Sequence, residues 1–240
     1  MNQTRRHFLL VSGGALAVGC QDAMKSTSAI PEMEWPEYAS RPTPSGRPYH
    51  PKLGTTQERT KSKPAATPSA KLLKPLPRGV WAQANTIVGR VNPMNGIDRI
   101  TVHHEGSSEV VFSDYASTAN RLESIRQGHL NRMTAGDIGY HFIVDRAGRI
   151  WEGRPLKYQG AHVKQYNPHN IGVMVLGNFN LQSPTSPQLQ TLSKAVKGLR
   201  RAFGVSLSSI HTHQELAPTA CPGNSLQPRI EQMRRNGAFT

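Results

Sequence analysis

Three short stretches of this 240-residue chain hold side chains that bind transition metals. His103 and His104 stand together at the end of an apolar run. His211 and His213 come much later, and Cys221 follows in the segment His213-Gln214-Glu215-Leu216-Ala217-Pro218-Thr219-Ala220-Cys221-Pro222-Gly223. Zinc favours imidazole nitrogen and thiolate sulfur, and a catalytic zinc takes three protein ligands while keeping a fourth position open for water. Two histidines with Cys221 meet that count. Spacing alone does not select the histidines, because the chain has ten of them. A role for Cys221 as a small buried apolar side chain also stays open.

These residues need a scaffold, and the hydrophobic pattern supplies one. The alternation of Ile100 and Val102 around Thr101 predicts a strand over 97–104. Tyr115, Ala119, Leu122, Ile125 and Leu130 recur at helical spacing within 113–131, with Ser or Asp available as the cap. Strands are expected over 140–145 and 149–152, joined by the turn-like Arg146-Ala147-Gly148. The six apolar-rich residues 171–176 read as a strand buried on both faces. Ser186-Pro187 opens a helix with Leu189, Leu192, Val196, Leu199 and Phe203 on one face, and Lys194, Lys197, Arg200 and Arg201 on a solvated side. A last short helix is expected over 225–235. Strands alternating with helices imply an α/β domain: one central mixed β-sheet flanked by helices.

Five pieces occur in this order: Ile100-Thr101-Val102-His103-His104, Gly139-Tyr140-His141-Phe142-Ile143-Val144, Gly160-Ala161-His162, Asn170-Ile171-Gly172-Val173 and His213 through Thr219-Ala220-Cys221-Pro222-Gly223. Together they closely resemble the zinc-dependent N-acetylmuramoyl-L-alanine amidase family, which includes peptidoglycan recognition proteins and phage amidase-lysozymes. The resemblance runs from about residue 78 to 228. It implies a single amidase-like α/β domain with a substrate groove across a Zn2+ ion. The implied ligands are His103 (the first of its pair), His213 and Cys221. Tyr140 matches the residue beside the metal-bound water, and Thr219 a position held by Lys or Thr in active members. The implied reaction is hydrolysis of the amide between the lactyl group of N-acetylmuramic acid and L-alanine. Among the other histidines, His104, His141, His162 and His211 read as supporting, groove or structural residues. His162, His104 and Asn170 are the expected substrate contacts, with His162 the best groove residue. Two other readings share this chemistry: a peptidoglycan-binding protein without activity, and a zinc peptidase acting within the stem peptide. Relatives that bind without cutting typically lack the cysteine, which favours the amidase here. One departure is Glu105, where the family commonly has Thr or Ser. Its carboxylate has three open roles: orienting an imidazole, acting as a base, or facing solvent.

The rest of the chain is an address and a tether. Arg5-Arg6, the apolar run from Phe8 to Val18 and the small residues ending at Gly19-Cys20 have the layout of an export signal of twin-arginine type. Leu16-Ala17-Val18-Gly19-Cys20 resembles a bacterial lipobox, with Ala17 where Leu is usual, so Cys20 is the expected lipidation site. Gln21 after it mildly favours outer-membrane sorting where the host has an outer membrane. Residues 21–78 hold ten of the eighteen prolines and few large apolar residues, which describes a semi-extended linker. The expected division is thus 1–20 signal, 21–78 tether and 79–240 catalytic domain, in an exported, membrane-anchored, periplasmic protein expected to be a monomer. With 29 basic against 15 acidic residues the net charge is +14. More than half of that excess, +8, lies in residues 1–92, ahead of most of the folded domain, so the charge suggests an anionic envelope rather than a specific nucleic acid. Two cysteines exclude a disulfide scaffold.

Overall fold

The computed structural model describes residues 74–132 and 135–240. The expected signal, Cys20 and the tether up to residue 73 lie outside the described residues. Among those described, no helix is long and apolar enough to cross a membrane.

Five strands form one sheet: β1 (Arg99–His104), β2 (Phe142–Val144), β3 (Ile150–Glu152), β4 (Asn170–Val175) and β5 (Ile210–Thr212). Their order is β3-β2-β4-β1-β5. β1 runs parallel to β4 and β5, β2 runs parallel to β4, and β3 is antiparallel to β2. The mixed sheet expected from the sequence is therefore present. β5 had no strand signal of its own, because three residues are too few to display an alternation. It forms only because β1 offers a free edge beside it.

Alternation along the strands divides the core in two. Ile100, Val102, Phe142, Val144, Ile171, Val173 and Val175 point to one face, where they meet Leu192, Val196 and Leu199 of α2 (Ser186–Phe203) and Ile230 of α3 (Gln227–Arg235). Ile143, Trp151 and Met174 point to the other, against Leu122 of α1 (Tyr115–Arg132) and Trp81. Each end of α2 has a local cause. Thr185 accepts from Gln188 N while the Gln188 side chain accepts from Thr185 N, and Gly204 closes the helix in the left-handed conformation at φ 67°. α1 is less apolar on its inner side. It buries Glu123 and Arg126 as a hydrogen-bonded pair, with Nε–Oε2 2.8 Å and Nη2–Oε1 2.9 Å. Leu76 already pairs with the sheet, since its N–H donates to Ile150 O at 2.8 Å and its carbonyl accepts from Glu152 N at 2.9 Å.

Candidate metal centre

β1 delivers two adjacent histidines, and its pleat sends them to opposite faces. His103 points to the α1 side, where it is fully buried. His104 points the other way, and its Nδ1 accepts from the Phe179 N–H at 3.2 Å. The strand thus commits one histidine of the pair to the site and the other to the opposite face. Only the backbone of His104 reaches the cluster, its N–H donating to Cys221 Sγ at 3.4 Å.

His213 and Cys221 arrive on two linked turns. β5 ends in a 3-10 turn, His213–Glu215. Gln214 N donates to Cys221 O at 2.9 Å, which joins that turn to the cysteine loop. Glu215 locks it further: its carboxylate accepts from Thr212 N at 2.8 Å and from both terminal nitrogens of Arg234 on α3 at 2.7 and 2.6 Å. That pairing holds the Glu215 carboxyl well down, at about 2. Thr219 Oγ1 accepts from Cys221 N at 3.2 Å, so the threonine braces the cysteine from an exposed position.

One ligand atom from each of His103, His213 and Cys221 lies within 4.8 Å of the others. Tetrahedral zinc with bonds of about 2.3 Å to sulfur and about 2.0–2.1 Å to nitrogen sets those two atoms roughly 3.6 Å apart. Cys221 Sγ and His103 Nδ1 are 3.6 Å apart. The donor set therefore fits zinc in type and number, and in the His103–Cys221 separation. Burial pushes His103 well below the ordinary histidine range and lowers His213, so both rings are neutral and offer lone pairs. Burial also pushes the Cys221 thiol up to about 12. A metal would have to displace that proton.

Around the cluster, the Tyr140 ring centroid is 5.2 Å from that of His103. Burial, then the neighbouring Cys221 and Glu105, raise the Tyr140 phenol above its usual value, so it stays a proton donor at neutral pH. His162 Nδ1 is 3.0 Å from His103 Nε2. His162 thus stands directly behind His103, and its ring is buried. Asn170 is fully buried too. Its Oδ1 accepts from Thr101 Oγ1 at 2.9 Å, and its Nδ2 donates to Tyr166 O at 2.8 Å. His104, His162 and Asn170, expected as substrate contacts, each have protein partners in this structure.

Sequence reasoning left Glu105 undecided. The structure pairs it with Arg121 of α1 in a salt bridge that buries the carboxylate. It also missed Arg154, whose guanidinium is buried and donates to Ile138 O at 2.8 Å, Gln159 O at 2.6 Å and Asp137 O at 3.0 Å. Arg154 so staples the loops that carry Tyr140 and His162. A lone arginine after a strand carries no periodic signal, so only the fold reveals this role.

Comparison with known proteins agrees with the geometry. A family model described as N-acetylmuramoyl-L-alanine amidase matches residues 93–224. Peptidoglycan-recognition protein SC2 of Drosophila melanogaster is 31% identical over 141 residues, spanning 57% of this chain and 73% of that protein. Human N-acetylmuramoyl-L-alanine amidase is 30% identical over 127 residues, covering 52% of this chain but 22% of the human protein. The fold is similar to that of peptidoglycan recognition protein-LE, solved in complex with tracheal cytotoxin. That match has a TM-score of 0.60 at 23% identity, over 66% of this chain and 92% of that one.

Proposed function

The chain belongs to the N-acetylmuramoyl-L-alanine amidase family, and from that premise we propose that it is a zinc-dependent hydrolase of peptidoglycan. Its bond is the amide between the lactyl group of N-acetylmuramic acid and L-alanine of the stem peptide. The observation that carries this reading is the His103–His213–Cys221 cluster, complete to the cysteine and spaced for zinc. The ligand in the similar solved structure, a monomeric diaminopimelic acid-type peptidoglycan, supports a muropeptide as the substrate class.

When bound, zinc supplies Lewis acidity and lowers the pKa of water from roughly 15.7 to about 7. Every other task falls to the chain. Tyr140, protonated and beside His103, donates a hydrogen bond that orients the attacking water. Thr219 Oγ1 already accepts from Cys221 N–H, so its own hydroxyl proton is free to be donated toward the developing oxyanion. A neutral hydroxyl stabilises that charge less than an ammonium would. Thr219 would therefore leave more of that stabilisation to a metal held by His103, His213 and Cys221 than a Lys at this position would.

The same reading extends to the N-terminal residues. Cys20 carries a lipid, and the Pro-rich segment lets an anchored domain search the wall at a distance from the membrane. Intact-mass analysis of the mature protein tests this: an unmodified N-terminal region would remove the anchor from the account.

Digestion of purified muropeptides with product masses tests the activity. Free stem peptide with intact glycan is the expected outcome. Shortened stems would indicate a peptidase, and no release at any zinc level would indicate a binding protein.

A further inference from the structure

We propose that His162 is a positioning residue: it fixes His103 in the tautomer whose Nδ1 lone pair faces the metal position, through a relay that ends on the backbone carbonyl of Asn170. The inference rests on the zinc reading above and assigns His162 a specific task within it.

A carbonyl oxygen accepts hydrogen bonds and never donates. His162 Nε2 lies 3.2 Å from Asn170 O, so that nitrogen carries the proton. A neutral imidazole has one donor and one acceptor, so His162 Nδ1 is the acceptor. It lies 3.0 Å from His103 Nε2, which must then carry the proton of the second ring. His103 Nδ1 is left with its lone pair, and this is the nitrogen 3.6 Å from Cys221 Sγ. Metal-ligating histidines commonly donate their other N–H to an acceptor that sets the tautomer and ring orientation. Here that acceptor is a second imidazole, itself set by the main chain.

The fold builds a slot for that second ring. A Cβ on Gly160 would stand 2.2 Å from His162 Cδ2, and one on Gly172 would stand 2.6 Å from the same atom. Neither glycine has a left-handed φ, so each is needed for room and not for backbone conformation. Gly172 interrupts an otherwise side-chain-bearing strand at the point where the ring lies over β4. The loop before it is shaped for the same end, with Asn167 Oδ1 accepting from the N–H groups of both His162 and Val163 at 2.9 Å. The terminal acceptor is fixed as well, since Asn170 is held by Thr101 and Tyr166. His141 offers a contrast. Its Nδ1 accepts from Gly172 N at 3.0 Å and its Nε2 faces Tyr158 O at 3.0 Å, so both nitrogens end on backbone and it relays nothing.

Two measurements test the relay. Long-range 1H–15N spectra of the zinc-free chain should show His103 and His162 protonated at Nε2 alone. Zinc affinity, read by competition with a chromophoric chelator, should weaken about 10- to 100-fold in His162→Leu. His162→Asn, which sets an amide oxygen near the position of Nδ1, should recover most of that loss. A proton on His103 Nδ1 in the zinc-free chain would overturn the proposal whether or not the variants fold. So would a His162→Leu affinity equal to wild type, and in that case the zinc reading would stand. Wild-type chain that holds no zinc would instead bring down the zinc reading itself.

Discussion

Cys221 Sγ and His103 Nδ1 lie 3.6 Å apart, though 118 residues separate them in the chain. In the metal-free chain the protonated thiol can donate to the neutral imidazole across this distance, and the same spacing suits two ligands of one tetrahedral zinc. Cys221→Ser exchanges a soft thiolate for a hydroxyl that zinc binds poorly. The variant is expected to lose more than about 100-fold in zinc affinity and to have no measurable hydrolysis, while the zinc-free chain keeps its far-UV spectrum. Unchanged turnover would remove Cys221 from the ligand set.

In the proposed mechanism Tyr140 and Thr219 act on the reaction, and Thr219 also braces Cys221. Tyr140→Phe keeps the ring packed near His103 and removes only the hydroxyl. Its turnover should fall by about 10²- to 10⁴-fold, the usual share of a positioned proton donor, with zinc stoichiometry unchanged. Thr219→Val removes both the oxyanion donor and the brace on Cys221 N. It should lower turnover by about 10²-fold or more and also weaken zinc binding modestly. Separate titrations of metal and rate resolve the two effects.

Gly172→Ala tests the space behind His103. The added methyl would stand 2.6 Å from His162 Cδ2 and 2.8 Å from its Cγ. The strand cannot move without breaking its register with β1, so the ring must yield. Overpacking of this kind costs about 1–3 kcal/mol. The expected result is a lowered unfolding midpoint together with weaker zinc binding, checked by thermal denaturation with and without zinc.

Glu215 gives a pH signature. The carboxyl sits at about 2 in the folded chain against an ordinary 4.5. A depressed folded value means that the contribution is complete above about pH 4.5 and is lost as pH falls toward 2. The pair with Arg234 is partly open to solvent, with side chains 27% and 28% exposed, so its worth is about 1 kcal/mol or less. Glu215→Gln should therefore be slightly less stable than wild type at pH 7, and the difference should vanish near pH 2. Denaturant unfolding across that range provides the check.

The outline of this fold was legible because its main elements carry their own signals. Ile100 and Val102 alternate, the run at 171–176 is apolar throughout, and α2 has both an apolar stripe and a Ser-Pro start. β5 was not legible, since Ile210–Thr212 is defined by its pairing with β1. The residues of the His103–His213–Cys221 cluster were visible, and strand alternation explains why His103 and not His104 joins it. The surroundings of the site were less accessible. For His162 the sequence cannot show that Asn170 O lies 3.2 Å from its Nε2. Glu105 stayed ambiguous because its partner, Arg121, lies on a helix whose rotation over the sheet is a tertiary fact.

The most direct test of the central claim is hydrolysis of a muramoyl peptide by the zinc-loaded chain in H₂¹⁸O, with mass analysis of both products. The account predicts one ¹⁸O in the new lactyl carboxylate of the muramic acid product, and an unlabelled stem peptide with a free L-alanine amine. Label in a carboxylate within the stem peptide, or no product at saturating zinc, would contradict it.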